Sequence, residues 1–158
     1  MHLPRFSRML GGMRRLLAFL RARRVVVRGW SMAPTLLPGD YLLVDTSAYR
    51  SAPPQRGDIV VVRDPHHPHR LLVKRVVALP GEKVEEAGEG VLRPAEDGNG
   101  GAAPGPRSWT LGEGEYFLRG DGEPFSRDSR VFGPVRREAI LGRAWLVYWP
   151  LHRWQRLG

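Results

Sequence analysis

The sequence predicts a mostly β fold in which a coiled or closed sheet follows a short basic helix at the N-terminus. Short runs of β-branched and aromatic residues recur along the chain, as expected of strands. The 19 Gly and 14 Pro supply frequent turn signals between these runs. The 158 residues, of which 42% are hydrophobic and 26% charged, suffice for one globular domain and are too few for two.

Residues 1–24 form a basic segment with one apolar run at residues 16–20. A membrane-spanning helix needs about 20 apolar residues, so this segment does not predict one. It also lacks the small-residue cleavage site of a secretory signal. We expect a basic amphipathic helix, which either lies on a membrane surface or is a solvated helix weakened by Gly11 and Gly12.

The rest of the chain is predicted to form a β domain at residues 25–150 and a C-terminal tail at residues 151–158. A polar, Gly-rich loop at residues 95–107 is expected to be flexible, and residues 136–141 to form a helical turn. Among the C-terminal Trp residues, Trp145 favours the end of the sheet, whereas Trp149 and Trp154 favour a membrane interface. The predicted strands are residues 25–29, 41–45, 58–63, 71–79, 90–93, 116–119 and 143–149.

The composition excludes several kinds of site and directs attention to one residue. The chain has no Cys, which excludes disulfides, thiol nucleophiles and cysteine-held metal centres. The net charge of +9 favours anionic partners, but Arg residues scattered singly do not predict nucleic-acid binding. Only Lys74 and Lys83 are Lys among 25 Lys and Arg residues. Because Arg does not lose its proton in proteins, a retained Lys is a candidate for proton transfer.

Lys74 lies in an apolar stretch whose alternate residues share a strand face, so it faces the same way as Leu72 and Val76. We expect its ammonium group to be poorly solvated and repelled by the neighbouring Arg75. Both effects would lower its pKa from about 10.4 to about 8, and a neutral Lys is a general base. The alternative is that the stem of Lys74 covers apolar surface while its ammonium group reaches water.

Ser31 is the candidate nucleophile because it follows the first predicted strand, between Gly29 and Pro34. A Ser at such a turn presents its hydroxyl and its own N–H to a bound carbonyl, as acyl transfer requires. The alternative is an ordinary Ser that caps a turn. Position 34 is Pro, which excludes a Ser-x-x-Lys pair.

Two further polar clusters carry candidate residues. In the first, Asp128 and Arg130 are placed to form an ion pair that pins a loop, and Ser126 to hydrogen-bond a buried amine; the alternative is an exposed polar loop. The second is the His-rich loop at residues 66–69, which is interrupted by Pro. Neither a metal site nor a Ser-His-Asp triad is favoured there, because no carboxylate is set to orient the rings.

Four segments occur in a fixed order between residues 25 and 150. They are Gly29-x-Ser31-Met32-x-Pro34-Thr35-Leu36 with Gly39-Asp40, then Arg56-Gly57-Asp58-Ile59-Val60, then Val73-Lys74-Arg75-Val76-Val77-Ala78-Leu79-Pro80-Gly81, then Gly120-Asp121 with Ser126-x-Asp128-Ser129-Arg130, Gly133-Pro134-Val135 and Ile140-x-Gly142-Arg143-Ala144. In order and spacing these segments resemble the signature boxes of the type I signal peptidases. The resemblance implies an all-β coiled fold and a serine endopeptidase that uses a Ser–Lys dyad, with no metal or cofactor.

The resemblance also implies a role for each matching residue. Ser31 would be the nucleophile and Lys74 the general base, with Ser126 as the hydroxyl that orients the lysine. Asp128 and Arg130 would form a structural ion pair near the site. The remaining positions are Gly29 and the Ser31 N–H, for the oxyanion, and Val25, Val27, Leu36 and Val73, for small-residue pockets that accept Ala-x-Ala cleavage sites.

The chain departs from the family pattern in three places. Some members have Ser where this chain has Gly29, so the oxyanion would depend on the Ser31 N–H and a backbone donor near Gly29. The usual Asn after Gly-Asp in the last box is Gly122, so we expect a local hydrogen bond to be missing. No N-terminal transmembrane anchor is predicted, so we expect either an upstream start or peripheral attachment through the basic helix and the Trp-rich end.

Preprotein signal peptides and the anionic membrane surface are the expected partners of a monomeric enzyme at the cell membrane, with its site outside the cytoplasm. The ending Trp149-Pro150-x-x-Arg153-Trp154 also looks similar to shorter branches, such as the mitochondrial inner-membrane peptidases and the maturation peptidase of nickel superoxide dismutase. A dedicated maturation peptidase in the cytoplasm therefore stays open. A non-catalytic basic β-module that binds anionic membrane or nucleic acid explains the charge but not the four boxes.

Overall fold

The computed structural model describes residues 22–86, 107–122 and 126–158. Within these ranges the chain is mostly strand, with one single-turn α-helix and two short 3-10 helices. The mostly β prediction is thus confirmed. The elements are β1 (Arg23–Val26), β2 (Tyr41–Asp45), β3 (Ile59–Arg63), β4 (Leu71–Ala78), β5 (Lys83–Glu86), β6 (Arg107–Thr110), β7 (Glu115–Arg119), α1 (Ser129–Phe132), β8 (Val135–Arg136), a 3-10 helix (Arg137–Ala139), β9 (Ile140–Trp149), a 3-10 helix (Leu151–Arg153) and β10 (Gln155–Arg156).

Eight of the strands form one antiparallel sheet in the order β1-β2-β9-β3-β4-β7-β8, with β10 added beside β9. The strands β5 and β6 form a separate hairpin. Among the described residues β1 pairs only with β2 and β8 only with β7. The sheet is therefore open, and the expectation of a closed sheet is wrong because the two end strands do not meet.

The core lies on both faces of this sheet. Alternate side chains of a strand point to opposite faces, and in β3 they enter two different clusters. Ile59 and Val61 belong to the cluster that contains Leu36 and Leu157, whereas Val60 and Val62 belong to a second cluster around Leu118. This two-sided burial gives β3 and its neighbour β4 a rigid position at the centre of the domain.

The predicted strands correspond to observed ones with small shifts. The first, residues 25–29, is observed as Arg23–Val26, because the chain turns at Val27 to exchange backbone hydrogen bonds with Gly39 and Asp40. The expected helical turn at residues 136–141 is the 3-10 helix Arg137–Ala139, and Ile140 already begins β9. The strands at 41–45, 58–63, 71–79, 116–119 and 143–149 correspond to β2, β3, β4, β7 and β9.

Several expectations fall wholly or partly outside the described residues. Most of the basic helix at 1–24, the strand at 90–93 and all but the last residue of the loop at 95–107 lie there. Arg107, the end of the expected loop, begins β6. Residues 151–158, expected as a tail, form the second 3-10 helix and β10, and Leu157 packs into the core.

Candidate active site

The position of Lys74 follows from the alternation of β4 between β3 and β7. Leu72, Lys74 and Val76 share the buried face, and Lys74 lies opposite Val60 in the β3 register. Only 2% of the Lys74 surface is exposed. The side chain is thus enclosed along its whole length, and the alternative of an ammonium group that reaches water does not apply.

Ser31 lies in a compact turn between β1 and β2. Backbone hydrogen bonds from Ala33 to Trp30 and from Leu36 to Met32 close the turn. Met32 and Leu36 are buried in the core, which fixes the turn against the sheet. In this arrangement Ser31 Oγ lies 2.7 Å from Lys74 Nζ.

A second hydroxyl and a carboxylate complete the polar environment of Lys74. Ser126 Oγ lies 3.1 Å from Lys74 Nζ, and Ser126 also hydrogen-bonds the buried Asp128. Asp128 caps α1 and accepts from the Gly120 N–H and from Arg130 N and Nε at 3.0–3.1 Å. The structure thus brings Ser31, Lys74, Ser126, Asp128 and Arg130 together in one cluster.

Burial lowers the pKa of Lys74 to about 8, because the charged form is poorly solvated. The nearby Asp128 acts in the opposite direction, and Arg130 and Arg70 add to the lowering. The repulsion expected from Arg75 is not among these causes. Arg75 lies on the other face of β4, where its Nε and Nη2 bind the carboxylate of Asp121 at 2.9 and 2.6 Å.

Two glycines allow the chain to pass close to the Ser31 turn, and the sequence analysis missed their role. A Cβ on Gly120 would lie 2.1 Å from Ser126 Oγ and 2.2 Å from the Ser31 carbonyl oxygen. A Cβ on Gly122 would lie 2.2 Å from the Trp30 carbonyl oxygen. The Gly122 N–H donates to the Ser31 carbonyl at 3.0 Å. With the backbone in this position, a side chain at position 122 would therefore collide with the turn.

The residues expected at the oxyanion and substrate positions lie near the same turn. Gly29 is exposed, and a Cβ there would meet no atom within 4 Å. Val27 and Leu36 are buried in the core cluster, and Val25 and Val73 pack against it with part of their surface accessible. Val25 and Val73 therefore present part of their surface to solvent, whereas Leu36 has no exposed surface.

The His-rich loop connects β3 to β4 beside the site. Asp64 accepts backbone hydrogen bonds from His66 and His67, and Arg127 Nη2 lies 3.2 Å from His66 Nδ1. Among the described residues no group of three His, Asp or Glu side chains is arranged to hold a metal ion. The expectation that no carboxylate orients the rings is wrong, because Asp64 Oδ2 lies 3.6 Å from His67 Nδ1 where the loop turns back towards β4.

Exposed apolar side chains gather where β9 ends and β2 begins. Trp149, Leu151 and Trp154 are 51%, 70% and 57% exposed, and Tyr41 lies opposite Trp149 in the register of β2 and β9. Trp145, in contrast, is partly buried. In the described ranges no helix has both the length and the hydropathy that crossing a membrane demands.

Comparison with known proteins places these features in a family. The family model described as "Signal peptidase, peptidase S26" matches residues 9–149. The "Probable signal peptidase I-1" of Synechocystis sp. is 35% identical, and the match covers 90% of this chain and 79% of that protein. The "Mitochondrial ATP-independent inner membrane protease subunit 1b" of Arabidopsis thaliana is 37% identical, with coverage of 82% and 72%.

A solved structure is also similar. The crystal structure of a signal peptidase I from Enterococcus faecalis has 29% sequence identity to this chain. The superposition covers 57% of this chain and 95% of the other, with a TM-score of 0.43.

Proposed function

The chain belongs to the signal peptidase family and is therefore a serine peptidase, and we propose that it removes signal peptides from exported preproteins by cutting after small residues. In this proposal Ser31 is the nucleophile and Lys74 the general base. Membership in a peptidase family favours this function over a non-catalytic β-module. The signal peptidases among the relatives favour it over a peptidase dedicated to one cytosolic substrate.

The observation that carries the proposal is the contact between Lys74 Nζ and Ser31 Oγ at 2.7 Å. A candidate base must lie within hydrogen-bond reach of the proton that it removes. The base must also be neutral for part of the time near physiological pH. With its pKa lowered to about 8 by burial, Lys74 meets both conditions.

The reaction is an acyl transfer in two steps. Neutral Lys74 takes the hydroxyl proton of Ser31, and the Ser31 oxygen attacks the scissile carbonyl. The Ser31 N–H and a backbone donor near Gly29 stabilise the resulting oxyanion. Collapse of this intermediate breaks the C–N bond, and the proton on Lys74 goes to the leaving amine. Lys74 then activates a water molecule, which hydrolyses the ester and restores the Ser31 hydroxyl.

Ser126, Asp128 and Arg130 serve to orient the base rather than to react. A primary amine at the end of a long side chain loses rotational freedom when it is held by two hydroxyl groups. Ser126 supplies the second hydroxyl, and Asp128 fixes Ser126 while Arg130 compensates the carboxylate charge. The Lys74 lone pair is thereby kept directed at Ser31.

The preference for small residues follows from the apolar side chains around the turn. Val25, Val27, Leu36 and Val73 form or pack against one cluster beside Ser31. We propose that a peptide docks against the accessible surface of Val25 and Val73, where an Ala side chain fits and a larger one would require the packed core to move. We therefore propose Ala-x-Ala as the preferred cleavage sequence.

The exposed apolar cluster of Tyr41, Trp149, Leu151 and Trp154 is the proposed contact with the membrane. Trp and Tyr favour the membrane–water interface, and the net charge of +9 is complementary to an anionic leaflet. We propose that the enzyme acts there as a monomer, at the cell membrane with its site outside the cytoplasm, without nucleic acid as a partner.

The test incubates the purified chain in detergent micelles with a preprotein that has one Ala-x-Ala site, and maps the cut by mass spectrometry. We expect a single cut after the second Ala, and no cut with Ser31→Ala. The matched control is Ser51→Ala, because Ser51 is exposed and distant in sequence from the site. Cleavage by Ser31→Ala, or no cleavage of any preprotein by the unaltered chain, would contradict the proposal.

A further inference from the structure

The segment at residues 151–158 returns to the turn that carries Ser31. Gln155 Nε2 donates to the Thr35 carbonyl at 3.0 Å, and Arg153 Nη2 donates to the same oxygen at 3.3 Å. Thr35 lies four residues after Ser31, in the last part of the same turn. Two side chains from the other end of the chain thus hold a single backbone atom next to the nucleophile.

Arg153 also binds Asp40, which lies at the end of the segment that connects β1 to β2. Its Nε and Nη2 bind the two carboxylate oxygens of Asp40 at 2.7 and 3.0 Å. Asp40 is buried and accepts the Leu37 N–H, and its carbonyl accepts the Val27 N–H. One guanidinium group therefore ties the start, the turn and the end of the segment that contains Ser31.

The segment that carries the two donors has backbone contacts of its own with β9. Gln155 lies opposite Val147 in the pairing of β10 with β9. Leu157 is buried in the core, and its N–H donates to the Trp145 carbonyl at 2.9 Å. Gln155 thus belongs to the sheet, and Arg153 ends the 3-10 helix before it, where its N–H donates to the Pro150 carbonyl at 2.9 Å. Both donors lie in elements whose backbone hydrogen bonds do not include the turn, so they can constrain its position.

We propose that Arg153 and Gln155 are positioning residues for the peptidase reaction, which hold the Ser31 turn at hydrogen-bond distance from Lys74. The catalytic part of this inference rests on the proposed function. Transfer of a proton between two side chains depends steeply on their separation, and a displacement of about 1 Å at a reacting atom costs about a hundredfold in rate. If the turn moved away from β4, the enzyme would therefore still bind its substrate but would cleave it slowly.

The test uses variants that remove the contacts to Thr35 without leaving Asp40 uncompensated. Arg153→Lys keeps a positive charge beside Asp40, but an ammonium group does not reproduce the planar set of donors. Gln155→Ala removes the other donor to the Thr35 carbonyl. Arg156→Ala is the matched control, because Arg156 lies in the same strand with an exposed side chain.

Two measurements are made on the double variant Arg153→Lys with Gln155→Ala. Hydrogen exchange followed by mass spectrometry reports on the turn whether or not the chain cuts a preprotein. We expect the amides of Ala33 and Leu36 to exchange about tenfold faster, while those of β3 and β9 keep their rates. Kinetics with an Ala-x-Ala peptide should show kcat lowered about tenfold or more, KM within about twofold, and an unchanged midpoint of the pH profile.

The outcomes separate the two proposals. Unchanged exchange in the turn, or unchanged kcat, would overturn the positioning role. A fall in melting temperature with faster exchange throughout the sheet would also overturn it, since that is the result of a purely structural role. A third outcome is faster exchange confined to the turn of the double variant, together with no cleavage of any preprotein by the unaltered chain. It would support the role of Arg153 and Gln155 in holding the turn and would contradict the proposed function instead.

Discussion

Raising the pH from 7 to 9 is expected to increase kcat/KM of the free enzyme about tenfold, because the reaction needs Lys74 in its neutral form. The pKa of Lys74 is about 8. At pH 7 roughly one-tenth of the molecules therefore carry a neutral Lys74, and at pH 9 roughly nine-tenths do. Below pH 8 the logarithm of kcat/KM should rise with pH at a slope of one.

Burial of Lys74 accounts for the size of this effect. A Lys with its ordinary pKa of 10.5 would be neutral in about 0.03% of molecules at pH 7. The lowered pKa thus increases the reactive fraction about 300-fold, at a cost of roughly 3 kcal/mol in the stability of the charged form. A bound substrate would exclude more water from Lys74 and so would not raise its pKa. The midpoint of the pH profile of kcat should therefore not lie above that of kcat/KM.

The assay measures kcat/KM for a fluorogenic peptide with an Ala-x-Ala site between pH 6 and 10, at constant ionic strength and with detergent. The control is Lys83→Arg, which alters the other Lys of the chain, an exposed one. Its profile should coincide with that of the unaltered chain. A flat profile over this range, or a midpoint near 10, would refute the role of Lys74 as a base with a depressed pKa.

Three further predictions follow from the same contacts. Lys74→Arg should lower kcat/KM at least about a thousandfold at every pH, because charge is kept and basicity is lost, whereas Lys83→Arg should not lower it. Lys74→Met should raise the free energy of unfolding by about 1–2 kcal/mol at pH 7 in urea titrations, since a lowered Lys pKa destabilises the folded state at low pH. This advantage should shrink as the pH rises through 8 towards 10.5; a constant advantage would argue against titration as its cause. Gly120→Ala should reduce activity at least about a hundredfold by pushing against Ser126 and the Ser31 carbonyl, whereas Ser51→Ala, at an exposed position, should stay within about threefold.

The features that the sequence predicted are those that depend on local pattern. The alternation of β4 indicated that Lys74 faces the core with Leu72 and Val76, and the structure has it there. That Ser31 and Ser126 would meet this Lys was implied instead by the resemblance of the four boxes to the family signature.

The features that the sequence did not predict depend on contacts between distant segments. Nothing local distinguishes Gly120 from a glycine in an ordinary turn, and only the approach of Ser126 and Ser31 makes it necessary. The ion pair of Arg75 with Asp121 likewise joins two segments whose pairing no periodicity encodes. The ordered end of the chain was missed because Leu157 is a single apolar residue, without the repetition that marks a strand.

The place of β9 in the sheet has a consequence for biosynthesis. The hairpin of β1 and β2, which precedes and follows Ser31, joins the hairpin of β3 and β4, which contains Lys74, through β9 between them. A nascent chain that has left the ribosome as far as β7 already contains both residues, but the strand that aligns them has not been made. Pairings of such long sequence separation also form late in folding. The arrangement that brings Ser31 to Lys74 is therefore complete only once residues 140–149 have emerged and inserted between the two hairpins.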